Sequence, residues 1–388
     1  MTRIIFSMVA IASVAMADAD VEHPHERIAE AKETTLKSEV PVAEKDILNR
    51  FHFKGDLRLR YESIERDDKD NKYRNRYRLR IGATVDLTDE LHVNVGMRSG
   101  FGNPTSGNQT FLDDQPLSDY FFQSMRFNIL GLTYKAGNST VKVGREPYMM
   151  YRPAKSQLVW DNDVSMNGVN YQYKDDTSII TVGMNQPTLE ENSVAENTVN
   201  LFLAQYVHKT KLDFAKLNLG AGIYYYDGLK GNTELFGKRK GNTVDSDGRY
   251  INNYHLVEAF GELQFKDVFG MPFKVAAGVV YNVAANDNNF GYDLAFQLGK
   301  AKNIGDWQVK YSYTDLQEDA TLGAYSDSDN FGGGTAASGH AIRVKYKFGK
   351  HTYLAGNFFF DKLYESNSNI PGMEPNYERV QLDAIFKF

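Results

Sequence analysis

The chain has 388 residues, 44 of them basic and 50 acidic for a formal net charge of -6, with 24 Tyr, 24 Phe, 32 Gly and no Cys. That balance argues against a dedicated nucleic-acid binder, which is basic overall or carries a basic domain, and the missing thiols exclude a disulfide framework and a thiolate metal centre. The length suits two or three ordinary domains or one large β-barrel, and the mean hydropathy of -0.48 fits a secreted soluble chain or a barrel whose apolar surface is hidden by alternation.

Taken in chain order, the first segment is MTRIIFSMVAIASVAMADAD. Arg3, an apolar stretch over 4–14 and the small-residue site Ala15-Met16-Ala17 predict a secretory signal peptide over 1–17. The stretch is short of the ~20 apolar residues that a spanning helix needs. Residues 18–51 are charged and poor in aromatics, and are expected to form a polar periplasmic leader. The barrel is expected over 52–388.

From Phe51 onward, segments of about ten residues alternate apolar with polar side chains, which places each set on one face of a strand. In FKGDLRLRYE, Gly55, Leu57, Leu59 and Tyr61 face one way, and Lys54, Asp56, Arg58 and Arg60 the other. RNRYRLRIGA sets Arg74, Arg76, Arg78 and Arg80 against Tyr77, Leu79 and Ile81. ELHVNVGMR, PFKVAAGVVYNV, DWQVKYSYTD and HAIRVKYKF repeat the pattern. The connectors alternate too. Short ones at 88–90, 136–139, 174–177, 208–213, 266–272, 300–306 and 348–351 are interleaved with polar ones near 63–73, 101–118, 147–164, 186–197, 227–251, 284–289, 316–338 and 364–375. Short turns on one side and long loops on the other predict a transmembrane antiparallel β-barrel of about 16 strands, with 18 as the alternative count. The short turns would then be periplasmic and the long loops extracellular.

A soluble β-sandwich or propeller would bury its apolar row and use irregular connectors. Here Lys and Arg recur in the polar row of many strands, so that side must stay wet. The chain ends ERVQLDAIFKF, with Val380, Leu382, Ala384, Phe386 and Phe388 on one face. Phe386 and the terminal Phe388 resemble the membrane-insertion signal of bacterial outer-membrane barrels, which implies that compartment and a meeting with the barrel-insertion machinery.

The run FKGDLRLRYE…NKYRNRYRLRIGATVDLTDELHVNVGMRSG, followed by VKVGRE, resembles the proteobacterial putative-porin family. The likeness lies in the first three strands, VKVGRE and the last strand; strand pattern alone carries the middle. It implies an outer-membrane porin for passive diffusion of ions and small hydrophilic solutes, a homotrimer, and contact with outer-membrane lipid and lipopolysaccharide. No P-E-F-G-G type signature marks the third long loop, so constriction geometry does not carry over.

A barrel of that size leaves an aqueous channel, whose inward residues set selectivity. Arg58, Arg60, Arg74, Arg76, Arg78, Arg80 and Arg98 are the expected pore-lining residues of the first strands, and Arg343 and Lys345 of the later ones. Lys347, Arg379 and Lys387 share the same face, and closure would bring the last strand beside the first. Asp56, Glu62 and Asp86 in the wall, and Asp113, Asp114, Asp161 and Asp163 in loops, are candidate counter-charges. The segment 145–164 is the expected constriction loop, with Arg145, Arg152, Asp161 and Asp163 as its charged candidates and the sign at the narrowest point open. The arginines either choose the solute or brace the wall, since ion-pair networks and functional sites look alike in sequence.

A barrel enzyme would need a nucleophile and base at a rim; Ser338-Gly339-His340 is adjacent, without a recognisable carboxylate motif, so no enzyme is expected. RDDKDN (66–71), DSDG (245–248) and SDSDN (326–330) lack full calcium-loop spacing, so no cofactor is expected beyond a divalent cation held weakly at acidic loops. A channel specific for anionic solutes, using the arginines as a track, is the alternative function. Nucleic acid is not an expected partner.

Overall fold

The computed structural model describes residues 47–100, 103–111, 124–187 and 198–388. The expected signal peptide, the leader up to residue 46, and Asp113 and Asp114 lie outside the described residues. The strands are β1 (Phe51–Arg66), β2 (Lys69–Asp86), β3 (Leu91–Ser99), β4 (Gln109–Thr110), β5 (Met125–Ala136), β6 (Ser139–Pro147), β7 (Ser165–Lys174), β8 (Ser178–Asn185) and β9 (Asn200–Lys211). There follow β10 (Lys216–Asp227), β11 (Tyr254–Val268), β12 (Met271–Asn282), β13 (Phe290–Gly299), β14 (Trp307–Leu316), β15 (Ala337–Lys347), β16 (Thr352–Leu363) and β17 (Asn376–Lys387). All pairings are antiparallel, and β17 returns to pair with β1, from Asp56 opposite Lys387 to Arg66 opposite Tyr377. Apart from the two-residue β4, which only pairs with β2 inside a loop, the sheet is a closed barrel of 16 strands. The alternative count of 18 is thereby excluded. Closure leaves no sheet edge, which is what a spanning sheet requires.

The alternation sets the faces as expected. Leu59, Tyr61, Ile81, Leu132, Val257 and Leu382 are exposed on the outside, while Asp56, Arg60, Glu62, Arg98 and Asp383 are buried inside. Tyr77 departs from this. It shares the outer face of β2 with Ile81 yet is buried, its ring against Phe111 with centroids 5.0 Å apart and its hydroxyl 3.2 Å from Ser124 Oγ. The loop beyond β3, not lipid, covers it. The expected long loop at 63–73 is also absent, because β1 and β2 continue to a turn at 67–68. Arg66 pairs with Asp68 there, and Asp67 accepts hydrogen bonds from Asn376. The polar residues that mimicked a loop belong to strands running past the apolar band.

The inside is not wet throughout. Toward the long-loop end the inward side chains of β10 and β11 turn apolar, with Tyr224, Tyr226, Tyr254 and Leu256 buried. They form one cluster with Trp160, Leu322 and Phe331 from loops 148–164 and 317–336. Trp160 stands edge-on to Tyr224 at 5.3 Å. Those loops therefore fold into the barrel and complete a core, a consequence that alternation alone does not reveal.

At the closing seam Gly55 N donates to the Phe388 carbonyl at 2.7 Å, and Phe388 N donates back at 3.1 Å. A Cβ at Gly55 would lie 2.7 Å from the Arg80 carbonyl oxygen, a backbone atom that cannot turn away. Gly55→Val is expected to lower stability by about 1–3 kcal/mol, the usual cost of overpacking, seen as a lower denaturant midpoint in detergent. Gly349→Ala, which would meet nothing closer than 3.7 Å, should leave the midpoint in place.

Candidate functional site

Strands β1, β2 and β17 place arginines on adjacent inward positions, and the register makes this worse before loops relieve it. Arg58 stands opposite Arg78 and Arg60 opposite Arg76, and like charges directly opposite are destabilising. The remedy is acids in the same lattice. Asp56 accepts from Arg78 at 3.0 Å and from Arg80 at 2.7 Å. Glu62 accepts from Arg74 at 2.7 Å, Arg76 at 3.1 Å and Arg379 at 2.6 Å. Asp383 takes a two-pronged contact from Arg60 at 2.6 and 2.8 Å. The Arg60 and Glu62 side chains are 1% and 0% exposed, so a missing partner there would leave a buried charge.

Wall acids alone are too few, and two loops supply the rest. Asp163 lies 3.1 Å from Arg78 and 2.9 Å from Arg80. Asp329 lies 3.6 Å from Arg60 and 3.1 Å from Arg379, and Asp327 lies 3.1 Å from Arg343. Arg98 donates to the carbonyls of Asn103 at 2.5 Å, Pro104 at 3.3 Å and Asp163 at 3.3 Å. Arg58 donates to Asn108 Oδ1 at 2.5 Å. The arginine wall is thus a seat onto which loop segments 103–108, 161–163 and 327–330 are clamped.

The opposite side of loop 148–164 reaches the far wall. Tyr151 N donates to Gln205 Oε1 at 2.7 Å, and the Tyr151 hydroxyl donates to Glu262 at 2.7 Å. The Ala154 amide also donates to Glu262, and Lys310 Nζ donates to the Ala154 carbonyl at 2.9 Å. Backbone strain accompanies this crossing: Ala154 and Lys155 have φ of 43° and 57°, the left-handed region costly for residues with a Cβ. Two loops are joined to each other by Asp161 N to the Tyr325 carbonyl at 2.7 Å and Gln157 Nε2 to Asp327 at 2.8 Å. A crossbar between walls results.

Two acids of the crossbar differ in charge preference. Burial would raise Asp163, but Arg78, Arg80, Arg58 and Arg98 outweigh it and hold the carboxyl down to about 2. Burial pushes Asp161 well above the ordinary aspartate range, helped by Asp163 and Asp327, although its oxygens accept from the amides of Asp163 at 2.8 Å and Ser328 at 2.9 Å. Burial also opposes ionisation of Asp329, yet Arg379, Arg60 and Arg58 keep it far below the ordinary range.

The nine expected wall residues all lie on strands of the barrel. Arg145 is not in the loop as expected: it lies on β6 and donates to the Asn128 carbonyl at 3.2 Å. Arg152 is in the loop but spans it, donating to the carbonyls of Ser156 at 3.0 Å and Trp160 at 2.9 Å, so it braces the crossbar. Asp86 pairs with His52 and His92, each at 2.6 Å, and not with the arginines. Alternation does not point to Asp327, Asp329, Asp383 or Glu262. SDSDN lacks calcium-loop spacing, and its acids meet arginines; an acidic pair in a long loop, in a barrel with surplus inward arginine, is the signal in the sequence that points there. His340 Nδ1 is 2.8 Å from the Tyr311 hydroxyl, on the aromatic outer face, and no hydrogen bond ties it to Ser338.

Asp163 stabilises through a lowered pKa, so its contribution is complete above the ordinary value of 3.8 and is lost as pH falls toward about 2. With Trp307→Phe leaving Trp160 as the only tryptophan, acidification through that window should shift Trp160 emission to the red. Asp163→Asn should show part of the shift already at neutral pH. An emission unmoved by either change would detach Asp163 from the crossbar.

A family profile described as "putative porin" matches this chain over residues 64–250 and 249–388. No curated protein matches. Among solved structures, OprB of Pseudomonas putida superposes with a TM-score of 0.59 at 13% identity, over 89% of this chain and 96% of that one. A mutant of the Rh. blastica porin gives 0.49 at 12% identity, over 87% and 100%. A loop L8 deletion mutant of Vibrio cholerae OmpT gives 0.48 at 13%, over 87% and 100%. At such identities the OprB likeness speaks for the fold.

Proposed function

The chain belongs to the "putative porin" family, and from that premise we propose that it is a non-enzymatic, water-filled channel of the bacterial outer membrane for passive diffusion of ions and small hydrophilic solutes. One observation carries this reading: a closed barrel with an apolar outside holds a charged inside narrowed by an inward loop. A spanning sheet must close and hide its polar side chains, and a loop tied to both walls sets how much of the interior a solute can use. Against the enzyme alternative, the Ser338-Gly339-His340 pair shows no hydrogen bond between its serine and histidine among the described residues, and His340 meets the Tyr311 hydroxyl instead.

Within this reading the arginines act chiefly as braces. Arg60 and Arg379 are almost sealed, whereas Arg74 and Arg80 keep 30% and 39% of their side-chain surface exposed and are the members a solute would meet. Specific passage of anions is the second reading, favoured because arginine outnumbers carboxylate in this lattice. Phe386 on the last strand and Phe388 just past its end, both exposed, would serve insertion. Exposed Asp245 and Asp247, the first accepting from the amides of Asp247 and Arg249, would bridge to lipopolysaccharide through a divalent cation. A homotrimer is the expected assembly.

Refolded protein in planar bilayers should give discrete, ohmic conductance steps. Arg78→Gln, which removes one clamp on Asp163, should raise the unitary conductance by loosening the crossbar. Bilayers without steps would sink the channel reading; an unchanged step size in the variant would sink the constriction assigned to this loop.

A further inference from the structure

We propose that Lys345, Lys347 and Lys387, gathered around Tyr353 at the short-turn mouth of the barrel, form a binding site for small multivalent oxyanions. The site deepens the channel reading, on which its role in passage rests, while binding itself does not require conduction. Lys345 and Lys347 are two residues apart on β15, Tyr353 stands opposite Lys347 on β16, and Lys387 ends β17. The three ammonium groups lie 4.5, 4.7 and 5.1 Å from the Tyr353 ring centroid. Lys347 Nζ also donates to the Tyr353 hydroxyl at 3.0 Å.

Unlike the arginines deeper in the wall, these lysines have no carboxylate partner among the described residues. The acids nearest in the sheet are already taken. Asp56, opposite Lys387, is bound by Arg78 and Arg80, and Asp383 is bound by Arg60. Asp306 accepts from the Asn303 amide at 2.7 Å. A fourth cation, Lys155 at the tip of the crossbar, is an electrostatic neighbour of both Lys345 and Lys387. The sheet therefore holds like charges together with only the Tyr353 ring and hydroxyl to steady them, whereas Arg60, Arg78 and Arg80 deeper in the wall each have an acid.

The chemistry selects the ligand class. Ammonium groups are compact point charges with rotatable donors, without the planar fork that suits one flat carboxylate. Several such groups spread around one ring fit an anion whose charge is also spread, such as phosphate or a dicarboxylate. Lys345 and Lys347 are partly exposed and Lys387 is exposed, so an anion in the mouth reaches them before it meets the crossbar. Focusing of anions by such a patch raises their local concentration.

Inorganic phosphate and succinate are the probes. Detergent-solubilised wild type should broaden the phosphate ³¹P resonance saturably, and Lys345→Gln/Lys347→Gln/Lys387→Gln should weaken the apparent affinity by about tenfold or more. The triple Lys→Arg variant, which keeps the charge, should retain at least part of the binding and reports on any folding defect. In bilayers, phosphate or succinate added on the short-turn side should block chloride current saturably in wild type and not in the triple glutamine variant. Equal broadening by wild type and the glutamine variant would overturn the site, as would no broadening by wild type. Broadening without any conductance would uphold the site and remove the channel.

Discussion

The constraint on which the molecule depends is the neutralisation of inward arginines packed on adjacent strands. Arg58 faces Arg78 and Arg60 faces Arg76, in a closed sheet whose other face is apolar. Buried guanidinium groups without partners would carry several kcal/mol of uncompensated desolvation each. Asp56, Glu62 and Asp383 answer only part of that demand, and Asp163, Asp327 and Asp329 have to arrive from loops. Electrostatics in the wall thereby dictates where the loops lie. A barrel with the same outer face and a neutral inner row would lose the charged end of the attachment that holds these loops inward.

Apolar packing holds the same loops from the other side. Trp160, between Asp161 and the strained Ala154–Lys155 pair, is buried against Tyr224 and Tyr325. Tyr224 donates to Glu258 at 2.6 Å, so the aromatic side of the interior is also hydrogen-bonded. The crossbar is fixed by charge at one end and by aromatic burial at the other. Neither attachment alone would define its position: ion pairs tolerate sliding between neighbouring arginines, and an apolar cluster has little directionality. Together they set one geometry, and the left-handed φ at Ala154 and Lys155 is the strain this geometry sustains.

Much of the barrel was legible because a strand's period of two is a local property. Arg58 and Arg60 on β1 and Arg74, Arg76, Arg78 and Arg80 on β2 follow from alternation, Arg66 at the end of β1 does not, and seven of the long connectors fall where polar clusters interrupt it. The hairpin at 67–68 misled for a physical reason: beyond the apolar band both faces of β1 and β2 meet water or loops, so alternation fades although hydrogen bonding continues. Arg145 was displaced from loop to strand by the same blurring. Tyr77 kept its predicted face but not its environment, because cover from a loop is a tertiary fact. The role of Asp327 and Asp329 was beyond local reading, since nothing in SDSDN itself indicates that Arg343 and Arg379 wait across the interior.

On β1, β15 and β17 the two kinds of cation divide along the barrel axis according to their chemistry. Arginine occupies the sealed middle, where a planar fork can satisfy two carboxylate oxygens at once, as Arg60 does with Asp383. Lysine occupies the mouth, where Lys345, Lys347 and Lys387 surround Tyr353 without an acid. Where an ammonium does lie inside, as Lys310 does on β14, it is held by a backbone carbonyl, that of Ala154, at 2.9 Å. The most deeply buried arginines, Arg60 and Arg379, are thus paired with acids, whereas the mouth lysines have none among the described residues. The arginine ladder that dominates the sequence is mostly paired, while the less conspicuous lysines of β15 and β17 stand together at the short-turn mouth.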